Sequence, residues 1–134
     1  MKTLKFGGTS VSDATNISRV LDIVAAAARE DRVVVVCSAM SGVTDMLVRL
    51  ADCCSASSDP ATLSPGAAEL IRSLSERHRA ASARLFSSDR LASVTDALDN
   101  HLSKLTALCL ELSAANAASA ADAASVALSS AVAP

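Results

Sequence analysis

The chain predicts an α/β fold, on three observations. Thr3-Leu4-Lys5-Phe6 alternates and stops at Gly7-Gly8, Val33-Val34-Val35-Val36-Cys37 is an unbroken β-branched run, and the segments between and after them repeat apolar residues at helical spacings. A strand, a helix and a second strand in that order make a βαβ unit, whose strands run parallel.

The first strand ends where two glycines permit a tight turn. Thr9-Ser10-Val11-Ser12-Asp13 then supplies capping side chains ahead of a helix whose apolar face is Ile17, Val20, Leu21, Val24 and Ala28. Arg29-Glu30-Asp31-Arg32 closes that helix with charge. The following valine run has no alternation, which predicts a strand covered on both faces, as inside a parallel sheet.

Ser38-Ala39-Met40-Ser41-Gly42-Val43 is a small-residue loop, and Thr44-Asp45 stands where a cap for the next helix is expected. Met46, Leu47, Leu50 and Ala51 mark that helix's apolar face. Both strands therefore deliver a small-residue turn and a helix N-terminus to the carboxyl edge of the sheet, where ligands of open α/β sheets bind.

Ser55 to Ser64, with Asp59-Pro60 inside it, reads as a linker, followed by Ser64 as cap and Pro65 at the first helical position. Ala67, Ile71, Leu74, His78, Ala81 and Leu85 form one stripe. Ser87-Ser88-Asp89 interrupts, and Leu91, Val94, Leu98, Leu102, Leu105, Leu108 and Leu112 form another. The pair predicts an antiparallel helical hairpin packed on the βαβ unit; neither stripe sustains the strict heptads of a coiled coil. Residues 114–134 are low in complexity, rich in Ala and Ser, and helix-permissive, with no large apolar side chain before Val126. The expected organisation is one domain portion over 1–113 and a poorly anchored tail over 114–134.

A length of 134 residues suits one domain. A net charge of −2 with two Phe, no Trp and no Tyr argues against a nucleic-acid binder, which needs clustered cations and stacking aromatics. Ala and Ser together exceed a third of the residues, so the 51% hydrophobic count overstates the apolar area available for burial and predicts a thin core. Cys37, Cys53, Cys54 and Cys109 form no CxxC pair, which speaks against a zinc knuckle or disulfide framework and for reduced thiols. No signal-peptide pattern opens the chain, and no apolar run approaches the ~20 residues of a membrane span. A soluble, cytoplasmic protein is expected, with no nucleic-acid or membrane partner and no protein-bound metal.

Two loops could carry chemistry. Lys5 ahead of Gly7-Gly8-Thr9-Ser10 combines a cation, close backbone approach and hydroxyl donors before a helix N-terminus, which suits a phosphate. The order differs from a Walker A loop, whose Lys follows its glycines. Ser38, Ser41, Gly42 and Thr44 offer hydroxyls and amides for a small anion such as a carboxylate. A capped turn explains either loop alone; their placement on adjacent strands favours a shared crevice. His78 and His101, on or beside the helical stripes, are expected to be packed or boundary residues, Met40 and Met46 to pack, and Glu76, Arg77 and Arg79 to form a solvated face.

Lys5-Phe6-Gly7-Gly8-Thr9-Ser10-Val11, followed some thirty residues later by Val35-Val36-Cys37-Ser38-Ala39-Met40-Ser41-Gly42-Val43-Thr44-Asp45, resembles the amino terminus of the aspartokinases, within the amino-acid kinase family. The resemblance is strong to about residue 54, weaker to about 112, and lost afterwards. It implies a partial amino-acid kinase fold and transfer of a phosphoryl group from ATP with Mg2+ to the side-chain carboxylate of L-aspartate, the first step towards lysine, threonine and methionine. By position, it implies Lys5 at the transferring phosphates, Gly7, Gly8, Thr9 and Ser10 in the phosphate loop, and Ser38 and Thr44 near the amino acid. The family's later Gly-Glu pair, second Lys and nucleotide-base pocket have no counterpart here, so the expectation is a fragment of the catalytic domain, inactive alone, that forms a homo-oligomer or associates with a C-terminal lobe. The alternatives are a non-catalytic fragment that binds a full-length kinase, and another amino-acid kinase of the same fold.

Overall fold

The computed structural model describes residues 1–57, 59 and 61–131, with backbone alone over 122–131. Its elements are β1 (Lys2–Phe6), a 3-10 turn (Gly8–Val11), α1 (Ala14–Glu30), β2 (Val33–Cys37), α2 (Val43–Ser55), α3 (Pro65–Leu85) and α4 (Ser88–Ala131). The βαβ unit is present as expected: β1 and β2 pair in parallel, Lys2 opposite Val33 and Phe6 opposite Cys37. Chain ends of the unit are tied at the surface by ion pairs from the amino terminus to Asp31 and from Lys2 to Glu30, both at 2.6 Å.

The main core lies away from the sheet. Leu50 and Cys54 of α2, Ala67 and Leu70 of α3, and Cys109 of α4 form one buried cluster, flanked by Met46, Cys53, Leu63, Ile71 and Leu105. Small residues let the helices approach closely: a Cβ on Gly66 would stand 3.3 Å from the Cys53 sulfur. Fully burying a leucine is worth about 1.5–3 kcal/mol, an alanine much less, so Leu50 and Leu70 dominate the apolar contribution of this cluster. The buried Ser113 hydroxyl donates to the carbonyls of Cys54 at 3.1 Å and Cys109 at 3.0 Å, joining α4 to α2 without an orphaned polar group.

α3 begins as its sequence indicates, with Ser64 accepting from the Ala67 amide at 3.2 Å and Pro65 in the first turn. Far from the turn, Ala67 and Cys109 belong to one buried cluster, and near it Arg79 pairs with Asp99, so α3 and α4 run antiparallel. α4 continues without a break through Ala114 to Ala131, past the end of the leucine stripe. Ser58 and Pro60 of the linker and residues 132–134 of the tail lie outside the described residues.

One expectation is overturned. β2 is not covered on both faces: Val34, Val35 and Val36 are 44, 41 and 47% exposed. Among the described residues its only ladder partner is β1, and α1 packs on one face of the pair, which holds Leu4 and Phe6, half-buried. By the two-residue period of a strand, Thr3, Lys5, Val34 and Val36 share the other, open face. The lysine thus occupies an exposed strand position. No helix among the described residues is long and apolar enough to cross a membrane.

Candidate functional site

Parallel pairing in register ends both strands together, and the Ser38 amide donates to the Phe6 carbonyl at 3.0 Å. The two loops therefore leave the sheet side by side. Gly8 forms the seam between them: a Cβ there would lie 3.3 Å from the Ala39 carbonyl oxygen and 3.6 Å from the Ser41 Cα. Gly7 has ordinary extended backbone, φ −81° and ψ 175°, so left-handed freedom is not what it supplies. What a side chain there would meet is Lys5 Nζ, 3.7 Å from a built Cβ. The ammonium thus lies along the glycine turn, and no carboxylate pairs with it among the described residues.

The first loop differs from the expected glycine turn running straight into a helix. A 3-10 turn over Gly8–Val11 intervenes, closed by the Ser10 amide donating to Gly7 O at 3.0 Å, with Val11 buried beneath it. Gly8 and Thr9, the first amides of that turn, take no backbone acceptor among the described residues. The N-terminus of α1 is not free for an anion, because Asp13 caps it and accepts from the Asn16 amide at 2.9 Å. That amide bond, and then the Ser12 hydroxyl, hold the Asp13 carboxyl below the ordinary carboxylate value. Donors for an anion in this loop are accordingly the 3-10 amides and Lys5.

The second loop is closed by the Val43 amide donating to Met40 O at 3.0 Å. The N-cap of α2 is Gly42, at φ 79°, and not Thr44. That φ is left-handed and favours glycine, and glycine brings no side chain to cap the helix, so α2 begins without a side-chain hydrogen bond on its first amides. Thr44 sits instead in the exposed first turn of α2, just past the buried Val43. The structure thus joins Lys5 to Gly7, Gly8 to Ala39 and Ser41, and Ser38 to Phe6. Thr9 is exposed and Ser10 half-buried in the 3-10 turn.

One further residue of this region is not as expected. Arg77 is not on a solvated face: it is half-buried and its Nη2 donates to the Ser12 carbonyl at 3.3 Å. Its signal was in the sequence, since Leu70, Leu74, Arg77, Ala81 and Arg84 recur at spacings of four and three along one helical face. Arg79 does lie at the surface, paired with Asp99, and Glu76 with Arg72. His78 packs back on its own helix, Nδ1 2.7 Å from Leu74 O, and His101 is exposed.

Among the described residues no group of three His, Cys, Asp or Glu is placed to hold a metal ion. Cys37 is exposed, Cys53 half-buried, Cys54 and Cys109 buried. Burial first, then the neighbouring Cys54 thiol, pushes the Cys109 thiol up to about 12, which makes it a poor nucleophile. An ammonium beside a glycine turn with unpartnered amides is competent to hold a phosphoryl group, and the small-residue second loop presents hydroxyls along the same edge.

The model of the Amino acid kinase family matches residues 2–132, and so continues through the Ala-rich segment where the motif resemblance ends. No curated protein matches the chain.

Proposed function

Because the chain belongs to the amino acid kinase family, we propose that its two adjoining loops bind ATP phosphates and an amino-acid carboxylate for phosphoryl transfer, with L-aspartate as the acceptor. The observation that carries this reading is the packing of Gly8 against Ala39 and Ser41 with Lys5 Nζ over Gly7, which gathers a cation and two small-residue loops at one sheet edge. Lys5 neutralises charge on the transferring phosphoryl oxygens, and the Gly7, Gly8, Thr9 and Ser10 segment cradles the phosphates. Ser38 and Thr44 orient the acceptor carboxylate. Mg2+, carried with ATP, supplies further charge neutralisation.

The chemistry asks little else of the protein. An ionised carboxylate oxygen bonds to the γ-phosphorus as the bond to the β-phosphate oxygen breaks, the electron pair leaves on ADP, and no proton need move. Positioning and charge stabilisation are the catalytic terms, and this loop pair is suited to both. The product is 4-phospho-L-aspartate, leading to lysine, threonine and methionine, and a cytoplasmic location suits the supply of ATP. With Lys5 as the one cation assigned to the phosphates, the chain by itself is expected to bind nucleotide without turnover. Calorimetric titration of MgATP tests the reading: binding weakened about tenfold in Lys5→Ala, at unchanged circular dichroism, is expected. Equal affinity of the two proteins would overturn it, and an acyl phosphate trapped by hydroxylamine would overturn the absence of turnover. A panel of acidic amino acids would separate aspartate from the acceptor of another kinase of this family.

The exposed Val34, Val35 and Val36 favour a second reading, a non-catalytic chain that docks on an intact kinase. Fixed-stoichiometry co-purification with such a kinase would support it, and heterogeneous self-association would sink it.

A further inference from the structure

A cleft of about 270 Å3 opens on the α3 side of the two loops, lined by Ser12, Asp13, Met40, Arg77, Ala81 and Arg84 among others. Its charges are unusual for a cleft with mostly apolar walls: two guanidiniums from one face of α3 and one carboxylate from the cap of α1. Each arginine makes one long bond to the far wall, Arg77 to Ser12 O and Arg84 to the Thr15 hydroxyl, both at 3.3 Å. That leaves most of their donors unused. Arg77 Nε is buried with no hydrogen-bond partner, a donor that an acceptor in the cleft could satisfy. Asp13 accepts from the Asn16 amide at 2.9 Å, the Asn16 side-chain amide at 3.1 Å and the Ser12 hydroxyl at 3.0 Å. Asp13 lines the cleft and forms no ion pair among the described residues, so its negative charge is available to a cation there.

A phosphate would meet both arginines but also the Asp13 charge. A lone carboxylate would leave the Asp13 charge without a partner. A carboxylate with an ammonium on the adjacent carbon matches all three groups, and the apolar wall of Met40 and Ala81 suits an aliphatic substituent. We propose that this cleft is a binding site for a free aliphatic α-amino acid, its carboxylate between Arg77 and Arg84, its ammonium on Asp13 and its side chain against Met40 and Ala81. Because Ser12 ends the first loop and Met40 belongs to the second, an occupant would brace both loops from behind, away from the Lys5 side. The site stands apart from the crevice proposed for phosphoryl transfer and does not depend on it.

Calorimetric titration of the full chain with L-leucine tests the proposal, beside 4-methylpentanoate, which lacks the ammonium, and 3-methylbutylamine, which lacks the carboxylate. Saturable leucine binding is expected, with both analogues weaker by about tenfold or more. Arg84→Gln and Asp13→Asn should each weaken leucine by a similar factor; asparagine keeps the helix cap, so folding is retained. Arg77→Lys, which keeps the charge but removes Nε, gives an independent check. A Ser38→Ala/Thr44→Val double variant should bind leucine as before. No saturable binding, or an analogue as good as leucine, would overturn the site. So would loss of binding in the double variant with retention in Arg84→Gln, since the amino acid would then sit in the loop crevice.

Discussion

A methyl group on Gly8 would stand 3.3 Å from the carbonyl oxygen of Ala39, so the first loop rests on the backbone of the second. Backbone yields less readily than a side-chain tip. Gly8→Val is therefore expected to destabilise the protein by about 1–3 kcal/mol, as overpacking does elsewhere, and to move the amide resonances of Ala39 and Ser41. Urea denaturation with amide NMR spectra checks both, and unshifted Ala39 and Ser41 would show that the loops do not touch.

Gly42 is different in kind, because space is open around it and only its φ of 79° excludes a side chain. Gly42→Ala is expected to cost about 1–2 kcal/mol from the left-handed conformation alone, and Gly42→Asn less. A reversed order in urea melts would show that the turn relaxes to another conformation.

The centre of the helical core should be the least tolerant position. Leu50 is 2% exposed, in the cluster formed with Cys54, Ala67, Leu70 and Cys109. Leu50→Ala is expected to cost about 2–5 kcal/mol, a large share of the total stability of a domain this size. Loss of cooperative thermal unfolding by circular dichroism would register it; a melting curve unchanged from the parent would mean this cluster is not the core.

Acid should loosen the start of α1. The Asp13 carboxyl is held below its ordinary value in the folded chain, chiefly by the Asn16 amide. A group depressed on folding stabilises the protein above its unfolded value, here 3.8, and that stabilisation is lost as pH falls through the lower folded value. Asp31, through the amino terminus, and Asp59, through Thr62, act in the same direction. Stability should hold from neutral pH to about 4 and fall below it, less steeply in Asp13→Asn; urea melts across that range decide.

The cysteines should alkylate in order of exposure. Cys37 is exposed, whereas Cys54 and Cys109 are buried and the Cys109 thiol is pushed up to about 12. Iodoacetamide at mildly alkaline pH should modify Cys37 first, Cys53 more slowly, and the other two only with denaturant. Mass mapping that found Cys109 labelled early would place α4 elsewhere.

Local pattern made much of this structure legible. The Thr3 to Phe6 alternation, the valine run and the two stripes each announce their element, because strands and helices differ in period. The Lys5-Gly7-Gly8 juxtaposition was legible for the same reason, since residues on one turn are neighbours whatever the rest of the chain does. What local pattern missed depends on tertiary neighbours. The valines of β2 read as buried, but burial needs a layer on each face, and among the described elements α1 is the helix that packs on this sheet. Thr44 read as a cap by residue type, whereas a left-handed Gly42 ends the loop two residues earlier. Arg77 read as solvated by its charge, although its place in the helical period pointed inward.

The parallel ladder has a consequence for how the loops come to exist. It joins Lys2 to Val33, so it forms only after a loop of about thirty residues has closed, whereas α3 and α4 meet across a two-residue turn at Phe86 and Ser87. Chain-closure entropy orders these events: the hairpin forms first and the strands pair late. Pulse-labelled hydrogen exchange should show amides of α3 protected before those of Val34 to Val36. Gly8 then reaches Ala39 and Ser41 only in the last stage of folding, so the paired-loop arrangement proposed to hold a phosphate is absent from an incompletely folded chain.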